Sequence, residues 1–85
     1  MRKLVVVSAV WCPSCLVMSK DLKKIKKEIT DIEIEKLDYD FDLEVEKYNV
    51  GTKLPVLILE EDGVEINRIV GEKNYNEIVE FIGGK

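Results

Sequence analysis

The chain switches between two hydrophobic periods. Residues 4–7 (Leu-Val-Val-Val) form an unbroken apolar run, the pattern of a strand covered on both faces. Met18, Leu22, Ile25 and Ile29 recur at helical spacing and make one apolar stripe. The lysines around that stripe crowd toward its C-terminal half, where they favour the helix dipole. Ile32 and Ile34 alternate with charges, so residues 31–37 are predicted as a half-buried strand. Residues 42–48 are predicted as a short helix. Residues 56–59 are a second apolar run, and Asp62-Gly63 is a hairpin signal that returns the chain through Val64, Ile66 and residues 68–70. Asn74 with Glu77 three positions on forms a capping box, with Asn in the usual Ser/Thr place. It opens a helix with Tyr75, Ile78, Val79 and Ile82 on one face, and Gly83-Gly84 stops it.

The predicted order is β-α-β-α-β-β-α. Alternation of strand and helix in the first half implies a parallel pair joined by a crossover helix. The second half adds an antiparallel hairpin. The fold class is therefore α/β, with a mixed four-stranded sheet flanked by helices. At 85 residues the chain is expected to be a single domain, 1–85. Such a domain buries only about 60–65% of its unfolded surface, too little to enclose a large substrate cavity. Its chemistry is expected to sit in a few exposed residues and to act on a macromolecule or a thiol.

Charge and composition narrow the partners. The net charge of −4 argues against nucleic acid, which wants a basic face. Lys20, Lys23, Lys24, Lys26 and Lys27 are a local exception that reads as a solvated helix face. The basic start, Met1 to Lys3, precedes an apolar stretch too short for a secretory signal. No run is long enough to span a bilayer. The expected setting is cytoplasmic and away from membranes. The absence of Gln and His beside many Lys and Glu is the bias of hyperthermophile proteins.

The two cysteines frame the sequence Cys12-Pro13-Ser14-Cys15. A residue before proline is pushed out of the helical region, and proline suits the first helical position. Cys12 is thus predicted as the N-cap of the first helix, with Ser14 and Cys15 at the second and third helical positions. The Cys12 sulfur then sits where a cap accepts from the Ser14 or Cys15 amide, at the positive end of the dipole. Both effects favour thiolate and are expected to hold Cys12 below the usual thiol value of about 8.5. The spacing brings both sulfurs within bonding reach. Cys15 points back toward the helix and is expected to be the more shielded, resolving thiol. A structural staple is a weaker reading, because so short a loop contributes only roughly 2 kcal/mol. A zinc site wants four Cys or His ligands, and two Cys with no His do not supply them. A Cu(I)-type dithiol site is the metal alternative.

In this setting the chain resembles the thioredoxin family. Trp11-Cys12-Pro13-Ser14-Cys15 resembles its Trp-Cys-two residues-Cys motif, and Lys36-Leu37-Asp38 its second core strand. Tyr48-Asn49-Val50 leads to Leu54-Pro55, which is similar to the approach to its cis-proline. Gly63 and Gly71 fall where the family places glycines. The resemblance implies the thioredoxin fold without the family's extra N-terminal strand and helix. It implies Cys12 as nucleophile, Cys15 as resolving thiol and Pro55 as a cis-proline. Leu54 would offer backbone hydrogen bonds to an extended substrate, and Trp11 and Pro13 would contact it. Ser14, Lys36 and Gly71 would support the site. Two departures stand out. The family's buried aspartate, six residues before the nucleophile, is Val6 here, leaving proton assistance to water, Lys36 or a substrate group. The Pro-Ser dipeptide resembles glutaredoxins.

The implied activity is reduction of protein disulfides by dithiol exchange, without a metal or other cofactor. The implied partners are disulfide-bearing proteins and a donor, either a thioredoxin-reductase-type protein or glutathione, acting on a monomer. A glutathione-linked glutaredoxin role is the nearest alternative. A thioredoxin-like module that only binds a partner or a metal is the more distant one.

Overall fold

A computed structural model describes residues 2–83. Met1, Gly84 and Lys85 lie outside the described residues, and with them the second glycine of the expected helix stop. The order is β1 (Arg2–Ser8), α1 (Pro13–Glu28), β2 (Ile32–Asp38), a 3-10 turn of helix (Leu43–Tyr48), β3 (Val56–Glu61), β4 (Val64–Val70) and α2 (Tyr75–Ile82). The four strands run β2-β1-β3-β4, with β1 parallel to β2 and antiparallel to β3, and β3 antiparallel to β4.

Position in this sheet explains the two kinds of strand. β1 and β3 are central and covered on both faces, which is why their apolar runs are continuous. On one face Leu4, Val6, Leu57 and Leu59 meet Met18, Leu22 and Ile25 of α1 and Ile78 and Ile82 of α2. On the other, Val5, Val7, Leu37, Val56 and Ile58 meet Val45 and Tyr48. β2 is an edge strand: Ile32 and Ile34 pack on the α1 face between charged residues, while Leu37 packs on the opposite one.

The capping box of α2 is present, with Asn74 accepting from the Glu77 amide and Glu77 accepting from that of Asn74. Gly83 closes the helix at φ +75°, a left-handed conformation that glycine adopts without strain. Tyr75 adds a bond from its hydroxyl to Glu28 and receives Lys24 over its ring, tying α2 to α1.

Two elements differ in detail from the expectation. The short helix is 3-10 instead of α; it turns Val45 and Tyr48 to the same sheet face and leaves Leu43 in solvent. α1 ends at Glu28, so Ile29, the last residue of the apolar stripe, is its extended C-cap and still packs on the core.

Candidate active site

The site lies beyond the C-terminal ends of β1 and β2, the position open parallel sheets offer for chemistry. Beyond Ser8 the chain turns through Ala9, Val10 and Trp11, and the Cys12 amide donates to the Ala9 carbonyl at 3.1 Å. Cys12 then takes the extended N-cap conformation at φ −97° and ψ 108°, as a residue before proline must, and Pro13 starts α1. The Cys15 amide donates to the Cys12 sulfur at 3.2 Å. The donor to the Cys12 cap is thus the amide of the third helical residue, not that of Ser14. Cys12 and Cys15 are joined as a disulfide.

The expected difference in shielding is not present in this oxidised form. Cys12 is 5% exposed and Cys15 8%, because the bond holds both sulfurs in one pocket with Ala9, Tyr39 and Leu54. What distinguishes the cysteines is the cap: the amide at the start of α1 points at Cys12 alone.

The other predicted residues divide into those at the cysteines and one that is not. Leu54 packs on the cysteine cluster, and the Leu54–Pro55 peptide is cis, with Pro55 buried. The Gly71 amide donates to the Pro55 carbonyl at 2.8 Å, and Gly71 at φ +96° occupies a conformation suited to glycine. Trp11 and Pro13 are exposed beside the pair, and Ser14 is half-buried. Lys36 sits apart. It follows the register of Val6 on β2 and lines a shallow groove of about 220 Å³ with Leu22, Lys23, Lys26 and Ile34, a group that holds neither cysteine. Val6, 2% exposed, is enclosed by the apolar core. Among the described residues no three His, Cys, Asp or Glu side chains gather as a metal site. No helix among them is long and apolar enough to cross a membrane.

Two residues at the site carried no prediction. The Trp11 indole Nε1 donates to Asp40 Oδ2 at 2.7 Å, and its ring meets Tyr39 edge-on at 6.3 Å between centroids. Parallel pairing of Ser8 with Asp38 carries the next residues of both strands, Ala9 and Tyr39, to the same end of the sheet. That neighbourhood was the available signal.

Comparison with known proteins decides the family. The Thioredoxin family model matches residues 1–84. The chain belongs to the thioredoxin family. It is 32% identical over 75 residues to the thioredoxin of Chlamydia caviae, a match covering 87% of this chain and 72% of that one. It is 38% identical over 66 residues to the thioredoxin of Mycobacterium tuberculosis, covering 76% of this chain and 57% of that one. The solved thioredoxin of Fasciola hepatica superposes with a TM-score of 0.88 at 30% identity, covering 98% of this chain and 79% of that one. Thioredoxin-2 of a malaria parasite, at 23% identity, shares the fold with a TM-score of 0.89. With the Cys12–Cys15 pair bonded at the N-terminus of α1, this thioredoxin-family chain is a thiol–disulfide oxidoreductase.

Proposed function

We propose that the protein reduces disulfides of other proteins, with Cys12 as the attacking thiol. The observation that carries this is the cap: the Cys15 amide bonds the Cys12 sulfur and so stabilises negative charge there, at the positive end of α1. The Cys12 thiolate attacks one sulfur of the substrate disulfide, forming a mixed disulfide and releasing the other substrate sulfur as a thiolate. The Cys15 thiolate then attacks the Cys12 sulfur and releases the second substrate sulfur. Two electrons pass to the substrate, and the protein is left in the disulfide form seen here. In this reading Leu54 offers its backbone to an extended substrate and Trp11 and Pro13 contact it, which is supported by Leu54 packing on the cysteines ahead of cis-Pro55 and by the exposure of Trp11 and Pro13.

In this reading the redox pair is the only redox group required. A thioredoxin-reductase-type protein or glutathione restores the dithiol, the protein works as a monomer, and the compartment is a reducing one such as the cytoplasm. With Val6 at the centre of the apolar cluster and Lys36 in another groove, proton transfer to and from Cys15 falls to water or the substrate.

The test is a redox titration in glutathione buffer, with adducts scored by mass, beside a trapping experiment. A potential near about −270 mV with little glutathione adduct supports the reading. Cys15→Ser is expected to hold protein substrates covalently on Cys12. A potential nearer about −200 mV with a stable adduct moves the assignment to a glutathione-linked role. Trapping by Cys12→Ser instead reverses the two cysteines.

A further inference from the structure

Segment 38–47 holds Asp38, Asp40, Asp42, Glu44 and Glu46 against Lys47, a net of −4 that equals the charge of the whole chain. The rest of the molecule is formally balanced. This segment also carries two of the most exposed large apolar side chains, Phe41 at 77% and Leu43 at 84%. Between them lies an open groove of about 440 Å³, lined by Tyr39, Phe41, Leu43 and Val45 together with the carboxylates of Asp40, Asp42 and Glu46. Among the described residues, none of those three carboxylates is paired with a lysine or arginine; Lys47 pairs with Glu44.

The groove is continuous with the redox site. Tyr39 belongs to both, packing on the cysteine cluster and lining the groove. Asp40 lines the groove and accepts from Trp11, next to Cys12. The redox site thus borders a surface that is acidic and aromatic together.

We propose that this groove selects substrates whose disulfide is flanked by lysine or arginine. Long cationic side chains match such a surface in both respects. Their apolar stems lie along Phe41 and Leu43, their charge faces the ring of Phe41, and their ends meet carboxylates that take hydrogen bonds from Trp11 and the Asp38 amide but have no lysine or arginine partner among the described residues. A second copy of this chain bound groove to groove would oppose like charges and is disfavoured. This selectivity rests on the disulfide-reducing reading above and sets which disulfides that chemistry meets.

The experiment uses the reduced full chain and three disulfide-linked peptides that differ only in flanking residues: lysine and arginine, alanine and serine, or glutamate. At ~20 mM salt the basic peptide is expected to exceed the acidic one in kcat/KM by about 5–10-fold, narrowing to within about 2-fold at ~0.5 M salt as screening takes hold. Phe41→Ala combined with Glu46→Gln is expected to cut that ratio by about 3-fold. Equal rates at low salt, or a ratio the double variant leaves unchanged, overturns the proposal. Should the variant fold poorly, the oxidised wild type is titrated with a cysteine-free basic peptide. Amide shifts at Phe41, Leu43 and Glu46 support the groove, and shifts confined elsewhere overturn it. Sedimentation showing self-association that the variant abolishes assigns the groove to a second copy and also overturns it. Reduction of the neutral hydroxyethyl disulfide by the wild type reports the underlying chemistry separately. Its absence, with peptide shifts retained, removes the disulfide-reducing reading and leaves the groove.

Discussion

The indole of Trp11 and the carboxylate of Asp40 are joined at 2.7 Å, linking the turn before α1 to the turn after β2. Each residue lies outside regular structure, so this bond and the Tyr39 edge contact anchor the exposed indole next to Cys12 in the chain. Asp40→Ala is expected to loosen it. Trp11 is the one tryptophan of the chain, so its fluorescence reports this directly. Steady-state anisotropy should fall and iodide quenching rise, while stability drops by no more than about 1 kcal/mol, because the pair is exposed. Asp40→Asn retains an acceptor oxygen and should restore the anisotropy. Unchanged quenching in Asp40→Ala would show that the bond does not position the indole.

Val6 is enclosed by Leu4, Met18, Leu22, Leu57 and their neighbours, with no polar partner in that cluster. Restoring the family's aspartate by Val6→Asp would bury a carboxyl there. Such a group has its folded-state pKa raised above the unfolded value of about 3.9. Its neutral form is tolerated at low pH, and the protein loses stability as pH climbs from about 4 toward the raised value. The expected loss is about 3 kcal/mol or more at neutral pH, smaller at pH 4, read by urea unfolding at both. A pH-independent loss would mean the carboxyl has found solvent or a partner. If Val6→Asp were neutral in stability, the apolar enclosure described above would be wrong.

Tyr48 titrates far from its usual range. Burial first, then its hydrogen bond to Glu60 and the charge of Glu60, push its phenol from 10.0 up to about 12. A raised folded-state value means the native protein keeps the proton longer than the unfolded chain. The stabilisation is complete below pH 10 and is lost as pH rises toward about 12. Denaturant unfolding across this window should show a fall in stability that is shallower in Tyr48→Phe, and a tyrosinate absorbance titration should find Tyr48 ionising late, with Tyr75 also held above its ordinary value by its bond to Glu28. Three phenols titrating together near 10 would contradict the environment found here.

Much of this molecule was legible before any coordinates. The continuous runs of β1 and β3 followed from burial on both faces, and that is set by their central place in the sheet. The N-cap at Cys12 was legible because proline restricts its own φ and its predecessor's conformation, a rule that needs no tertiary contact. The pairing of Trp11 with Asp40 was not, since the two are 29 residues apart and meet only through strand register. The place of Lys36 also escaped the sequence. This lysine is exposed on an edge strand and shares a groove with Leu22, Lys23, Lys26 and Ile34, residues brought together only by the crossover of α1 onto the sheet. The 3-10 geometry of 43–48 was hidden because Val45 and Tyr48 are three apart, a spacing an α-helix shares.

The hairpin of β3 and β4 carries a register shift between Leu59 and Glu60, which leaves Ile66 as an extra residue between Glu65, opposite Glu60, and Asn67, opposite Leu59. β4 is also the outer strand, with Val64 and Ile66 exposed on it. An outer strand with apolar side chains is a template onto which another chain can add. Here the irregular spacing breaks the ladder a newcomer would need to copy. The Arg68 guanidinium, held by Glu65 and by the Tyr48 carbonyl, sets fixed charge on the same rim. On the β4 edge the sheet thus resists a fifth strand, and a protein whose work would bring it against partly unfolded chains is guarded there from being zipped into them.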